Sequence, residues 1–95
     1  MGTVKKYKGI FYRTRLLVLT DKPRLFYLEP SKMAMKGEID LRSIRALHGE
    51  KGRGRKGEHT FSVKSGEKTY VMEDANKKAR EWVEAIQEAI QEGDA

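Results

Sequence analysis

Arg13-Thr14-Arg15-Leu16-Leu17-Val18-Leu19-Thr20, then Asp21-Lys22-Pro23, then Arg24-Leu25-Phe26-Tyr27-Leu28, is the stretch that sets the architecture. Two aliphatic and aromatic runs of strand length flank a turn in which Pro23 fixes φ and withholds a backbone donor. That is a hairpin pattern. Successive strand residues point to opposite faces, so Arg13 and Arg15 project together with Thr14 opposite. Lys6 or Lys8, at the end of the preceding strand, can meet the two arginines across the intervening Gly9-Ile10-Phe11-Tyr12 loop.

Pro30-Ser31-Lys32 breaks the hairpin pattern, and Ala34–Leu41 resumes it. Within that run Lys36-Gly37-Glu38-Ile39-Asp40-Leu41 alternates polar with apolar or small side chains. Ile44–His48 extends the strands. The segment Gly49–Gly57 holds four glycines and four basic side chains with no apolar residue, and is expected to be a mobile loop. His59–Val63 and Lys68–Met72 alternate around Lys64-Ser65-Gly66-Glu67, a second hairpin. The period then changes. Ala79, Trp82, Val83, Ile86, Ala89 and Ile90 recur every three or four residues, which predicts a helix over about 76–92. Asp74 or Asn76 is expected to cap it and Gly93 to end it.

About seven strands followed by one helix make a mainly β chain with one C-terminal α-helix. The economical arrangement is a single domain over residues 1–95: an antiparallel barrel or sandwich whose open end the helix caps, with Trp82 as the plug.

Charge narrows the function classes. The 95 residues carry 20 Lys and Arg against 14 Asp and Glu, a net of +6. Residues 1–56 hold 15 against 5, net +10, and residues 57–95 hold 5 against 9, net −4. A basic half points to a polyanionic partner, either nucleic acid or an anionic lipid surface. With no cysteine, disulfides, Cys-based zinc sites and thiol catalysis are excluded. No apolar run approaches the roughly 20 residues of a spanning helix. The N-terminus lacks the apolar core of a secretory signal, and Gly2 followed by Lys6 lacks the myristoylation hydroxyl.

His48 and His59 have no second ligand at metal spacing, so no metal is expected. Glu38 and Asp40 share a strand face but sit among cations, which favours surface ion pairing over an acid–base dyad. Gly52-Arg53-Gly54 is part of no phosphate-loop pattern, and no cofactor is expected. These residues support no catalytic set. Tyr12, Phe26 and Tyr27 could stack on bases, but their alternation is that of core strands and no RNA-recognition signature is present.

Lys6-x(6)-Arg13-x-Arg15, opening a chain of seven strands and one single-Trp helix, resembles a pleckstrin-homology domain. The run Lys8–Thr20, then Leu25–Pro30, Met35–Ile39, Lys68–Glu73 and Trp82 with Ile86-Gln87-Glu88, is similar to the C-terminal domain of this family in the 3-phosphoinositide-dependent protein kinases. The Gly49–Gly57 loop departs from that pattern, and no kinase lobe is present.

The resemblance implies a non-catalytic module that binds 3-phosphorylated phosphoinositides, such as phosphatidylinositol 3,4,5-trisphosphate, at a cytoplasmic membrane face. It implies an inositol phosphate pocket of Lys6, Lys8, Arg13 and Arg15 under the β1–β2 connection, joined by Lys36 from a later strand and Lys68 from the last hairpin. Arg suits such a ligand because its planar fork grips phosphate oxygens in pairs. The tip residues Ile10, Phe11 and Tyr12 either fold onto the rim or dip into the lipid interface. A scaffold of the same fold that ignores lipid, and a basic nucleic-acid binder, are the alternatives.

Overall fold

The computed structural model describes residues 1–49, 59–77 and 79–94. Strands β1 (Gly2–Lys8), β2 (Phe11–Leu19), β3 (Leu25–Glu29) and β4 (Ala34–Ile39) come first. A 3-10 turn, Leu41–Ser43, leads to β5 (Ile44–Gly49), β6 (Thr60–Ser65), β7 (Lys68–Glu73) and helix α1 (Ala79–Asp94). Every ladder is antiparallel, and the seven strands form one sheet in the order β4-β3-β2-β1-β7-β6-β5. The mainly β architecture with one C-terminal helix is therefore as the sequence implies.

β1 joins the two halves, pairing with β2 along its whole length and with β7 through Lys5, Lys6 and Tyr7. Alternation turns Val4, Leu17, Leu25, Tyr27, Ile39, Phe61, Val63, Tyr70 and Met72 into one buried interior. α1 closes one end of it, packing on β5, β6 and the 3-10 turn. Its buried residues Ala79, Trp82, Ile86 and Ala89 follow the anticipated stripe, with Val83 and Ile90 at its margin. Trp82, 2% exposed, stacks on Phe61 with ring centroids 5.9 Å apart. Its Nε1 donates to the Asp74 carboxylate at 2.9 Å.

Asp74 also makes the hydrogen bonds expected of a cap: its other carboxylate oxygen accepts from the backbone N–H groups of Asn76 and Lys77 in the turn that precedes the helix. The helix itself begins at Ala79, later than the expected start near 76. It also continues through Asp94, because a glycine weakens a last helical turn without ending it.

Two further boundaries differ. The run Ala34–Leu41 stops at Ile39, where the Asp40 carboxylate accepts from the Arg42 N–H and Ser43 hydroxyl and winds the 3-10 turn. The loop read as Gly9–Tyr12 shrinks to Gly9 and Ile10, since Phe11 pairs with Lys8 and Tyr12 with Tyr7. Gly9 has φ +64, the left-handed conformation that lets so short a connection close. Of the expected loop Gly49–Gly57, only Gly49 is among the described residues.

Between β3 and β4 the register slips. Tyr27 pairs with Gly37 and Leu28 with Met35, which leaves Lys36 as the unpaired residue of a β-bulge.

Candidate functional site

The site is the end of the interior that α1 leaves open. On β1 the inward series is Val4, Lys6, Lys8; on β2 it is Leu17, Arg15, Arg13, Phe11, and the register pairs Val4 with Arg15 and Lys6 with Arg13. One face of two neighbouring strands therefore changes from aliphatic to cationic as it leaves the core. The result is a pocket of about 870 Å³ lined by Lys6, Lys8, Phe11, Tyr12, Arg13, Arg15, Tyr27 and Lys36. Five of its eight lining residues are cations and none is acidic.

Lys36 reaches this pocket because of the bulge. In an unbroken β4 it would face away from Gly37 and the interior; as the extra residue it is turned to the pocket wall. Gly37 itself is kept small by Tyr27, whose hydroxyl and ring occupy the space that a Cβ would need. Tyr27 then stays buried, and its ring is one wall of the site.

Lys6 is the most constrained cation. Its ammonium lies 5.0 Å from the Tyr27 ring centroid and 5.6 Å from that of Tyr70, two rings whose centroids are 6.3 Å apart. Burial there lowers its pKa below the usual lysine value, and repulsion from Lys68, Arg15 and Lys8 lowers it further. Arg15 folds back to donate to the Thr14 carbonyl at 3.0 Å. Among the described residues the ion pairs are Lys5–Glu73, Arg24–Glu38 and Arg80–Glu84, none of which involves a pocket cation. Such a cluster repels itself, so an anion that entered would meet prepaid attraction.

Lys68 is not among the residues that line this pocket. It lines an adjoining groove of about 780 Å³ with Thr69, Tyr70 and Glu73, its ammonium 5.3 Å from the Tyr70 ring centroid, and Lys6 and Lys8 are common to both linings. Lys68 also repels Lys6, which stands between the two.

The hairpin tip is uncovered. Ile10 is 87% exposed and Phe11 75%, while Tyr12, half exposed, leans on Tyr7 and beneath the Lys5 ammonium. Phe11 and Tyr12, though exposed, therefore line the mouth of the pocket, and Ile10 projects beyond it. Tyr27 and Tyr70 were not anticipated as site residues; the signal available was a glycine, Gly37, set where an inward aromatic needs room. His59 Nδ1 faces the Lys77 carbonyl at 3.3 Å, a structural contact remote from the pocket.

Comparison with known proteins agrees with this geometry. A family model described as PH domain matches residues 1–94. The probable serine/threonine-protein kinase pdkA of Dictyostelium discoideum is 37% identical over 90 residues, 94% of this chain and 12% of the kinase. The human 3-phosphoinositide-dependent protein kinase 1 is 39% identical over 88 residues, 93% of this chain and 15% of the kinase. The chain thus spans less than a sixth of the length of either. Among solved structures, the PH domain of human oxysterol binding protein-related protein 11 superposes with a TM-score of 0.69. It covers 96% of this chain and 78% of that one at 21% identity, a likeness of fold.

Proposed function

The chain belongs to the PH domain family, a family of non-catalytic modules, and on that premise we propose that it reads 3-phosphorylated inositol headgroups in an anionic membrane. The family, and the phosphoinositide dependence in the name of its kinase relatives, support phosphoinositide binding in general. The single observation that carries the finer reading is the convergence of five cations from β1, β2 and β4 on one pocket with no acid in its lining.

Arg13 and Arg15 supply the bidentate grip on phosphate oxygens, and Lys6, Lys8 and Lys36 act as point charges around the ring. Selectivity comes from having these groups on three strands of fixed spacing, since diffuse charge does not distinguish one phosphate arrangement from another. Ile10, Phe11 and Tyr12 stand beside the mouth as the residues that meet the bilayer, a placement that suits lipid better than nucleic acid. Arrival is helped by about 1 kcal/mol per Lys or Arg close to an anionic surface. The protein would then work peripherally, at the cytoplasmic face of the plasma membrane or of another membrane that bears these lipids.

Calorimetric titration with inositol 1,3,4,5-tetrakisphosphate and inositol 1,4,5-trisphosphate, at fixed physiological salt, tests this. The tetrakisphosphate should saturate one site and bind more tightly, and Arg15→Ala should weaken it at least about tenfold. Equal, weak binding of both ligands, unmoved by Arg15→Ala, would overturn the pocket and leave a protein or RNA partner for the basic face.

A further inference from the structure

The pocket cations are not held alike. Lys8, Arg13 and Lys36 are exposed, whereas Lys6, one step deeper than Lys8 on β1, is half-buried. Its ammonium lies between the Tyr27 and Tyr70 rings, at 5.0 and 5.6 Å from their centroids, so two of its sides face aromatic carbon. Burial first, and then repulsion from Lys68, Arg15 and Lys8, hold its pKa below the ordinary lysine value. The uncharged amine is the nucleophilic form of lysine, and desolvation beside other cations is the setting that favours it.

The register adds a partner. Lys6 pairs directly with Arg13, and both side chains project to the inward face. Directly opposed side chains start about 4.5–5.5 Å apart at Cβ. An anion whose phosphoryl oxygens are gripped by the Arg13 fork is therefore presented to Lys6 from one strand away. No acid lines the pocket to neutralise either group.

We propose that Lys6 is an acylation site, modified by small acyl phosphates, the mixed anhydrides of a carboxylic acid with phosphate, which the cation cluster draws into the pocket. The phosphoryl end carries the charge that this pocket gathers. The acyl carbon is only one bridging oxygen from phosphorus, so a phosphoryl group held by Arg13 brings that carbon to Lys6. Having lost one proton to solvent, the Lys6 Nζ attacks the carbonyl carbon. A nitrogen–carbon bond forms, the carbon–oxygen bond to the phosphoryl group breaks, and inorganic phosphate leaves with the electron pair and takes up the second amine proton. The reaction is stoichiometric, with the domain itself as acceptor. The resulting amide is uncharged, so the lining falls from five cations to four and the acyl group fills part of the space a headgroup needs. Acylation thus switches the pocket off. The inference rests on the headgroup reading, because both ligands need the same phosphate grip.

Acetyl phosphate is the probe. The chain is incubated with it at fixed salt and pH, and the acetylation rate of each lysine is read by peptide mass spectrometry, with calorimetric tetrakisphosphate binding measured alongside. Lys6 should react at least about tenfold faster than Lys22, an exposed lysine between β2 and β3. Saturating tetrakisphosphate should protect Lys6 and leave Lys22 unchanged, and protein acetylated at Lys6 should bind tetrakisphosphate at least about tenfold more weakly. Arg13→Ala should slow Lys6 alone. A second reagent, the neutral acetyl ester of N-hydroxysuccinimide, needs no variant: its preference for Lys6 over Lys22 should be smaller than that of acetyl phosphate. If Lys6 reacts no faster than Lys22, or if the two reagents prefer it equally, the acylation site is overturned while intact tetrakisphosphate binding preserves the headgroup reading. Failure of the unmodified protein to bind tetrakisphosphate would overturn both.

Discussion

The two ends of the sheet treat polar groups in opposite ways. Under α1, the buried Asp74 carboxylate satisfies Trp82 Nε1 and two backbone N–H groups, and no buried side-chain nitrogen or oxygen among the described residues lacks a partner. At the mouth, five cations crowd one pocket without an ion pair among the described residues. The closed end is optimised for folding. The open end holds charges that repel one another, and what they forgo in stability is recovered only when an anion binds. One strand pair, β1 with β2, serves both ends, changing role between Val4 and Lys6.

The comparison predicts that substitutions at the closed end damage the fold first. Trp82→Ala should cost about 3–5 kcal/mol, the usual range for emptying a large aromatic site, measured by urea unfolding. That is a large part of what a domain this small has. A cost under about 1 kcal/mol would mean that α1 is not the plug. Gly37→Ala lies between the two ends in effect. Its methyl would displace Tyr27, so a loss of about 1–3 kcal/mol should come with weaker headgroup binding, because Tyr27 holds Lys6 in place. Stability loss without any binding loss would separate the two roles assigned to that ring.

Lys6→Met should do the reverse, abolishing headgroup binding while raising stability at neutral pH by about 0.5 kcal/mol after screening. The sign follows from the pKa. Lys6 is depressed in the folded chain, so its charge disfavours folding below the folded pKa, and that cost lifts as pH rises toward 10.5. The advantage of the methionine should therefore fade in alkaline solution; a gain that grows with pH would refute the assignment. The smallest effect is protonic. An anion beside Lys6 raises its pKa again, so binding in alkaline solution, as pH rises toward 10.5, should take up a fraction of a proton, read as a buffer-dependent heat. Lys6→Met should remove that dependence.

Much of the fold was legible because it rests on local periodicity. The alternation from Arg13 to Thr20, the hairpin at Ser65-Gly66 and the Trp82 stripe each report backbone geometry within a few residues. Boundaries were less legible where one side chain intervened: Asp40 ended β4 early by winding the 3-10 turn. In the site, Arg13, Arg15 and Lys6 could be read from strand parity and a hairpin. Lys68 could be given a hairpin but not a pocket, since parity does not say which strands flank β1; it lines the adjoining groove, which shares Lys6 and Lys8 with the site.

From the sequence alone came the order of elements, the shared face of Arg13 and Arg15, the helical stripe and the basic half, because each depends on residues close along the chain. The tertiary structure alone decided that a register slip against Tyr27 turns Lys36 into the pocket. It alone closed Tyr27 and Tyr70 around Lys6. Those outcomes depend on which strands pair and in what register, and pairing is settled by burial summed over the whole sheet rather than by any short run of residues.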